Sequence, residues 1–267
     1  MYRALKYIGP VGLGATSPQL FCAENDCGEV KVCVVKLSTN RLGTKVLVNE
    51  LLAAHFGDWL KLCFPPGGPI YISPEVLGSS RRLTAAAVLP GWHFGCEYLQ
   101  GVGYVNKYNL HQAVNKEQMA GVMLFDHLFH NPDRTENRKN LLIRKERDGY
   151  KLYAIDNSHL FRRGKWTIAM LEELADTITV NHRRSYGVLL KYYLRPAQLF
   201  KYAAAVKNIE DAKITLFVEG IPEEWLPDKA ERQALLEFLV IRRDKACWVA
   251  EQLSQLIPNI HRSADIY

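Results

Sequence analysis

The side chains best suited to chemistry lie between Asn131 and Asp156: Asp133, Asn137, Asn140 and Asp156, with apolar runs Leu141–Ile143 and Tyr150–Ile155 separating the last two. Arg147-Asp148-Gly149 between those runs is a turn signal, so the two runs read as a hairpin. With the turn centred near Asp148, Asn140 and Asp156 face one another across the ladder. Amide and carboxylate oxygens at that spacing suit a hard cation such as Mg²⁺. Asp133, just upstream, could accept a proton from a hydroxyl.

Other elements must bring these groups together. Residues 7–37 read as strands around a glycine-rich loop, Gly9-Pro10-Val11-Gly12-Leu13-Gly14-Ala15-Thr16-Ser17, whose backbone N–H groups and hydroxyls could approach phosphates. Lys36 ends the run Val30–Leu37. Residues 44–61 predict a helix with Thr44 as N-cap and Glu50 among apolar neighbours. Pro65-Pro66-Gly67-Gly68-Pro69 breaks it, and strands are expected at Ile70–Ile72 and Leu83–Leu89. Residues 115–130 predict a second helix, with Asn115 as N-cap and Gln118 as its capping-box partner. Met119 and Met123 on that helix read as core filler, and Asp126 with His130 as a pair too small to hold a metal. Arg134 reads as a support of the loop through a carboxylate, and Trp225 as a packing anchor. From about residue 167 onward the periodicity is helical.

The order Asp, Asn, strand, turn, strand, Asp resembles the catalytic segment of protein-kinase-like phosphotransferases. The wording Asn131-Pro132-Asp133-Arg134 followed by Asn140-Leu141-Leu142 is similar to the HipA-like kinases and, more distantly, to the phosphatidylinositol 3- and 4-kinase-like group. The resemblance covers roughly the first 160 residues. It implies an α+β, two-lobed kinase-like fold, with a small strand-rich lobe over residues 1–90 and a larger helical lobe over 91–267. Residues 89–95 would form the hinge against which adenine packs.

ATP and Mg²⁺ are the implied ligands. Lys36, steadied by Glu50, would hold the α- and β-phosphates; Gly12, Gly14, Thr16 and Ser17 would line them; Asn140 and Asp156 would bind the metal; Asp133 would act on the acceptor hydroxyl. In that pattern the metal-binding Asn follows the catalytic Asp by about five places, a position held here by Arg138. Asn137 and Asn140 flank it, and the strand that starts directly after Asn140 favours Asn140. The acceptor implied is a hydroxyl, with a protein Ser or Thr favoured and Thr16 or Ser17 as sites of self-modification. HipA toxins carry an additional N-terminal subdomain that this sequence lacks, so a DNA-binding antitoxin is not implied as partner. A metal-dependent hydrolase built on Asp133 and Asp156 leaves Lys36 and Glu50 without a role. A catalytically silent nucleotide-binding module is the reading that the displaced Asn favours.

Composition agrees with a folded, ordinary globular protein: 267 residues, 48% of them hydrophobic and 23% charged, are enough for a sizeable core. The net charge of +6 is spread along the chain, which suits anionic ligands without pointing to nucleic acid. No apolar run reaches the roughly 18 residues of a membrane span, and the first residues lack a signal-peptide core, so a soluble cytoplasmic protein is expected. The six cysteines form no Cys-x-x-Cys pair and read as small buried hydrophobes.

Overall fold

A computed structural model describes residues 1–12, 16–162 and 164–258. Alternating apolar residues build five strands, β1 (Tyr2–Pro10), β2 (Gln19–Asn25), β3 (Val30–Lys36), β4 (Gly67–Ile72) and β5 (Gly91–Glu97). They close into a barrel in the order β1-β2-β3-β5-β4, antiparallel except where β4 meets β1. Phe21, Ala23, Cys33, Val35, Ile70 and Ile72 point inward and are fully buried. Helix α1 (Lys45–Leu60) connects β3 to β4. Its apolar face joins a different core, where Phe56 packs against Phe129 at 4.8 Å and Phe217 at 5.2 Å between ring centroids.

Two short helices, α2 (Pro74–Gly78) and α3 (Arg81–Ala85), follow β4. The strand expected at Leu83–Leu89 is therefore not formed. Ser80 caps α3 by accepting from the Leu83 N–H, and the alanines that follow favour helix over strand. Nor does the chain leave the sheet at residues 89–95, because Gly91–Glu97 is β5 itself, paired with both β3 and β4. Phe94 and His93 are buried by that pairing and pack within the protein.

A three-stranded sheet of β6 (Gly103–Tyr104), β7 (Leu141–Glu146) and β8 (Gly149–Ala154) holds the hairpin. Helices α4 (Gln118–Leu128) and α5 (Asp133–Glu136) precede it in the chain. Thr44 and Asn115 do not cap with their side chains. Asn115 instead bonds Gln118 Oε1 at 2.7 Å and accepts the Leu152 N–H at 2.8 Å, tying the start of α4 to β8. Met119 and Met123 are fully buried, as filler should be.

The rest is helical: α6 (Ile168–Asp176), α7 (Ser185–Tyr192), α8 (Pro196–Lys207), α9 (Asp211–Glu219), α10 (Lys229–Asp244) and α11 (Ala246–Ser254). Residues 229–256 form two helices broken at Lys245 rather than one. Trp225 is buried, and its indole N–H donates to the Trp92 carbonyl at 2.9 Å, which makes it the expected packing anchor. Among the described residues no helix is long and apolar enough to cross a membrane.

His93 fastens β5 to the end of β3. The Ser38 N–H donates to Nδ1 at 2.8 Å, so the ring proton sits on Nε2, facing the Leu89 carbonyl at 3.2 Å. Burial holds this histidine down at about 4, whereas an unfolded one titrates near about 6.5. Its contribution is present in full above the unfolded value and is lost as pH falls toward the folded one. Stability should drop by about 2 kcal/mol per such histidine between pH 7 and pH 5. Urea unfolding at both pH values should give His93→Asn a smaller drop than the native chain; equal drops would contradict this role.

Candidate active site

Lys36 lies at the end of β3, and its side chain, like that of Glu50, is almost wholly buried. Its ammonium donates to Glu50 Oε1 and, at 2.7 Å, to Asp156 Oδ1. Three distant segments thus meet on one nitrogen. Burial opposes the charge on Lys36, but the Asp156 and Glu50 carboxylates outweigh it and raise its pKa above the ordinary lysine range. Burial likewise pushes Glu50 up, against the pull of Lys36 and of the Asn157 N–H that donates to Oε1 at 3.0 Å. Asp156 is held well below the usual carboxylate range: burial works against it, but Lys36 and the Ser158 side-chain and backbone donors prevail.

The hairpin register explains how Asp156 arrives there. Leu141 pairs with Ala154, so Asn140 faces Ile155, whose N–H it accepts at 3.0 Å. The expected pairing of Asn140 with Asp156 is displaced by one residue. Asp156 lies just past the ladder with φ 61°, the left-handed conformation that Asp tolerates better than most side chains.

Asn140 is buried and its amide donates to Asp133 Oδ2, whereas Asn137 caps the turn Arg138–Asn140 by accepting the Lys139 N–H at 3.1 Å. The geometry thus joins Asn140, not Asn137, to Asp133. His159 Nδ1 lies 3.8 Å from Asp133 Oδ2 and 3.2 Å from the Ser158 hydroxyl, which in turn donates to Asp156. A run of polar contacts therefore connects Asp133 to Asp156 and Lys36. The sequence offered no signal for Ser158 and His159 beyond their place directly after Asp156.

Arg134 holds this frame. Fully buried, it donates to Asp126 Oδ2 at 2.8 Å, to the Ile155 carbonyl at 2.6 Å and to Asn157 Oδ1. The expected loop support is thus an ion pair with Asp126. That carboxylate also takes bonds from Tyr186 and Asn131, which leaves it a structural anchor rather than a metal ligand. On the other side, the Asn49 amide donates to the Ser158 carbonyl at 2.9 Å and accepts the Trp166 indole N–H at 3.1 Å. This bonds α1 to the segment that follows Asp156.

The glycine-rich loop closes with a bond from the Val11 N–H to the Pro18 carbonyl at 3.0 Å, and Gly12 takes φ 119°, a conformation open to glycine alone. Thr16 is buried and Ser17 exposed; Gly14 lies outside the described residues. Gln19, which bonds the Ser17 carbonyl, pairs with Val35, so the loop rises at the Lys36 end of the barrel.

Asp156 Oδ2 and Asn140 Oδ1 carry no hydrogen bond among the described residues, so two hard oxygens remain free. No group of three or more His, Cys, Asp and Glu side chains among the described residues could hold a metal by itself. That donor set fits Mg²⁺ arriving with phosphates, which needs only one or two protein oxygens.

The mixed α+β fold and this constellation define a kinase-like protein. A family model for HipA-like kinases matches residues 8–246, and the chain belongs to that family. Among solved structures it resembles the Helicobacter pylori proinflammatory kinase CtkA, with TM-score 0.57 and 12% identity over 95% of this chain and 97% of that one. It resembles hydra Fam20, solved with sugar, with TM-score 0.57 and 13% identity over 96% of this chain and 86% of that one. No curated protein matches it.

Removing the shared cation tests the buried cluster. Lys36→Met would leave two carboxylates facing each other without a counter-charge and should lower stability by about 3 kcal/mol. Adding Glu50→Gln should recover much of that loss in urea unfolding. A Lys36→Met chain as stable as the native one would contradict the arrangement.

Proposed function

We propose that this chain is an ATP- and Mg²⁺-dependent phosphotransferase, two-lobed, that moves a γ-phosphoryl group to a hydroxyl, with a protein hydroxyl favoured. The observation that carries the reading is the convergence of Lys36, Glu50 and Asp156. In this reading the strand-rich lobe ends after β5, near residue 98 rather than 90, and the helical lobe follows.

Lys36 contacts the α- and β-phosphates while Glu50 keeps it aimed. Gly12, Thr16 and Ser17 would offer backbone and hydroxyl donors to the phosphates, and the same role is proposed for Gly14 from the sequence. Asn140 and Asp156 would hold the metal through their free oxygens, and that metal, when bound, would supply charge neutralisation for the transferring phosphoryl group. Asp133 orients the acceptor hydroxyl and takes its proton as the new oxygen–phosphorus bond forms and the bond to ADP breaks. Asn140 and His159, both beside the Asp133 carboxylate, keep it directed at the acceptor. Arg134 joins the loop of Asp133 to the end of the hairpin, so acceptor and phosphate ends of the site move as one unit.

A second reading, nucleotide binding without turnover, draws support from Arg138 at the position where the pattern has its Asn. Both are tested with Mg²⁺ and labelled ATP. Asp133→Ala and Asp156→Ala should each remove phosphoryl transfer, by at least about a hundredfold, in chains that remain folded. Calorimetric titration with Mg²⁺ and a non-hydrolysable ATP analogue should find binding weakened in Asp156→Ala and largely spared in Asp133→Ala. Transfer retained in either variant would overturn the role given to that aspartate; absence of transfer by the native chain would overturn the phosphotransferase reading, and tight binding without it would favour the silent module.

A further inference from the structure

We infer that a cavity beside the Asp133 loop seats a neutral, hydrogen-bond-donating side chain of the polypeptide that presents the acceptor hydroxyl; this rests on the phosphotransferase reading above. The cavity has a volume of about 350 Å³ and is walled by His130, Asn131 and Pro132, which directly precede Asp133, together with Thr135, Arg162 and Thr179. That is a volume at the small end of ligand pockets, with room for one large side chain.

Its polar walls specify the occupant. The Asn131 amide donates to Asp126 Oδ1 at 3.1 Å, which turns Oδ1 of Asn131 away from that carboxylate; this oxygen is buried and has no hydrogen-bond partner. His130 bonds the Leu174 carbonyl through Nε2 at 3.1 Å, so the ring proton is there and Nδ1 is an acceptor that meets no donor among the described residues. Burial and the nearby Arg242 keep that ring neutral, with its pKa down at about 4.

The other buried polar side chains of the wall are satisfied. His127 donates to the Met123 carbonyl and accepts the Asn181 N–H, and the Thr135 hydroxyl donates to the Pro132 carbonyl while accepting from the Asn181 amide. The buried Asn131 oxygen therefore awaits a donor, a mismatch that an N–H or O–H of a ligand would relieve, and His130 Nδ1 on the neighbouring residue is a second acceptor. Arg162 contributes a positive charge to the wall that its exposed pair with Glu173 offsets only weakly, whereas the Asp126 carboxylate is taken by buried Arg134, and this disfavours Lys or Arg as occupant.

Arg162 stands between two cavities. That residue also lines a second cavity of about 560 Å³, shared with Leu42, Lys165 and Met170. A ligand that fills both must pass the Arg162 side chain, which suits an extended polypeptide better than a compact small molecule. The backbone fixes the shared wall: the Phe161 and Arg162 N–H groups donate to the Phe129 and His130 carbonyls at 2.8 Å each.

Binding of fluorescent Ser-centred degenerate peptides to the full chain, loaded with Mg²⁺ and a non-hydrolysable ATP analogue, tests this without requiring turnover. At one position relative to the serine, peptides with Tyr or Gln should bind about tenfold tighter than those with Phe or Glu, and those with Lys should bind weakest. Thr179→Trp, at an exposed loop residue that lines the cavity, should erase the difference. Should that variant misfold, Arg162→Glu should instead lift the rejection of Lys. No position at which Tyr exceeds Phe and Gln exceeds Glu, or a preference unchanged in the folded variants, overturns the assignment. Transfer of labelled phosphate to the same peptides separates the two readings. Selective binding without transfer leaves the cavity standing and removes the kinase reading, whereas transfer without selectivity removes the cavity alone.

Discussion

A buried ammonium between two carboxylates is the constraint on which this molecule depends. Lys36 comes from the barrel, Glu50 from the helix beside it and Asp156 from the end of a hairpin more than a hundred residues later. None of the three groups is tolerable in that position alone, since an unpaired buried charge is among the most destabilising features a fold can carry. One cation against two carboxylates still leaves negative charge in excess, a demand that a divalent ion would meet. In the proposed function, the same cluster would receive the metal and phosphates.

The surroundings hold that cluster from several sides. Asn49, one residue before Glu50, bonds the Ser158 backbone and the Trp166 indole, and Lys45, at the start of the same helix, reaches the Trp166 carbonyl at 2.7 Å and Glu231 at 2.5 Å. Helix α1 is therefore tied to the segment after Asp156 and to α10, and it also shares the aromatic core of the helical part. Arg134 performs the corresponding task behind Asp133. A polar network of this kind tolerates few alternative arrangements, because every donor that loses its partner would be left buried.

Much of this was legible in the residues. The hairpin and the apolar helix with one internal glutamate were readable from the residues, the meeting of Lys36 with Glu50 was what the kinase resemblance implied, and Arg134 took its carboxylate as expected. What was not legible depended on distant context. The apolar run Leu83–Leu89 reads as a strand, but its alanines favour helix and Ser80 caps one. Strand β5 contains two glycines, Trp92 and His93, a composition that reads as a loop; it is a strand because β3 and β4 offer it partners on both edges. The one-residue displacement at Asp156 follows from ladder pairing, and the bond of Asn140 to Asp133 from the fold of the loop, neither of which spacing alone specifies. The unpaired acceptors of His130 and Asn131 emerge only once their neighbours have been satisfied.

The most direct test of the account is a crystal structure of the full chain grown with Mn²⁺ and a non-hydrolysable ATP analogue, with the metal located by its anomalous signal. The account predicts a peak within coordinating distance of Asp156 and Asn140, with the Lys36 ammonium on the α- and β-phosphates and still bonded to Glu50. A triphosphate bound away from Lys36, or a metal that ignores Asp156, would contradict it.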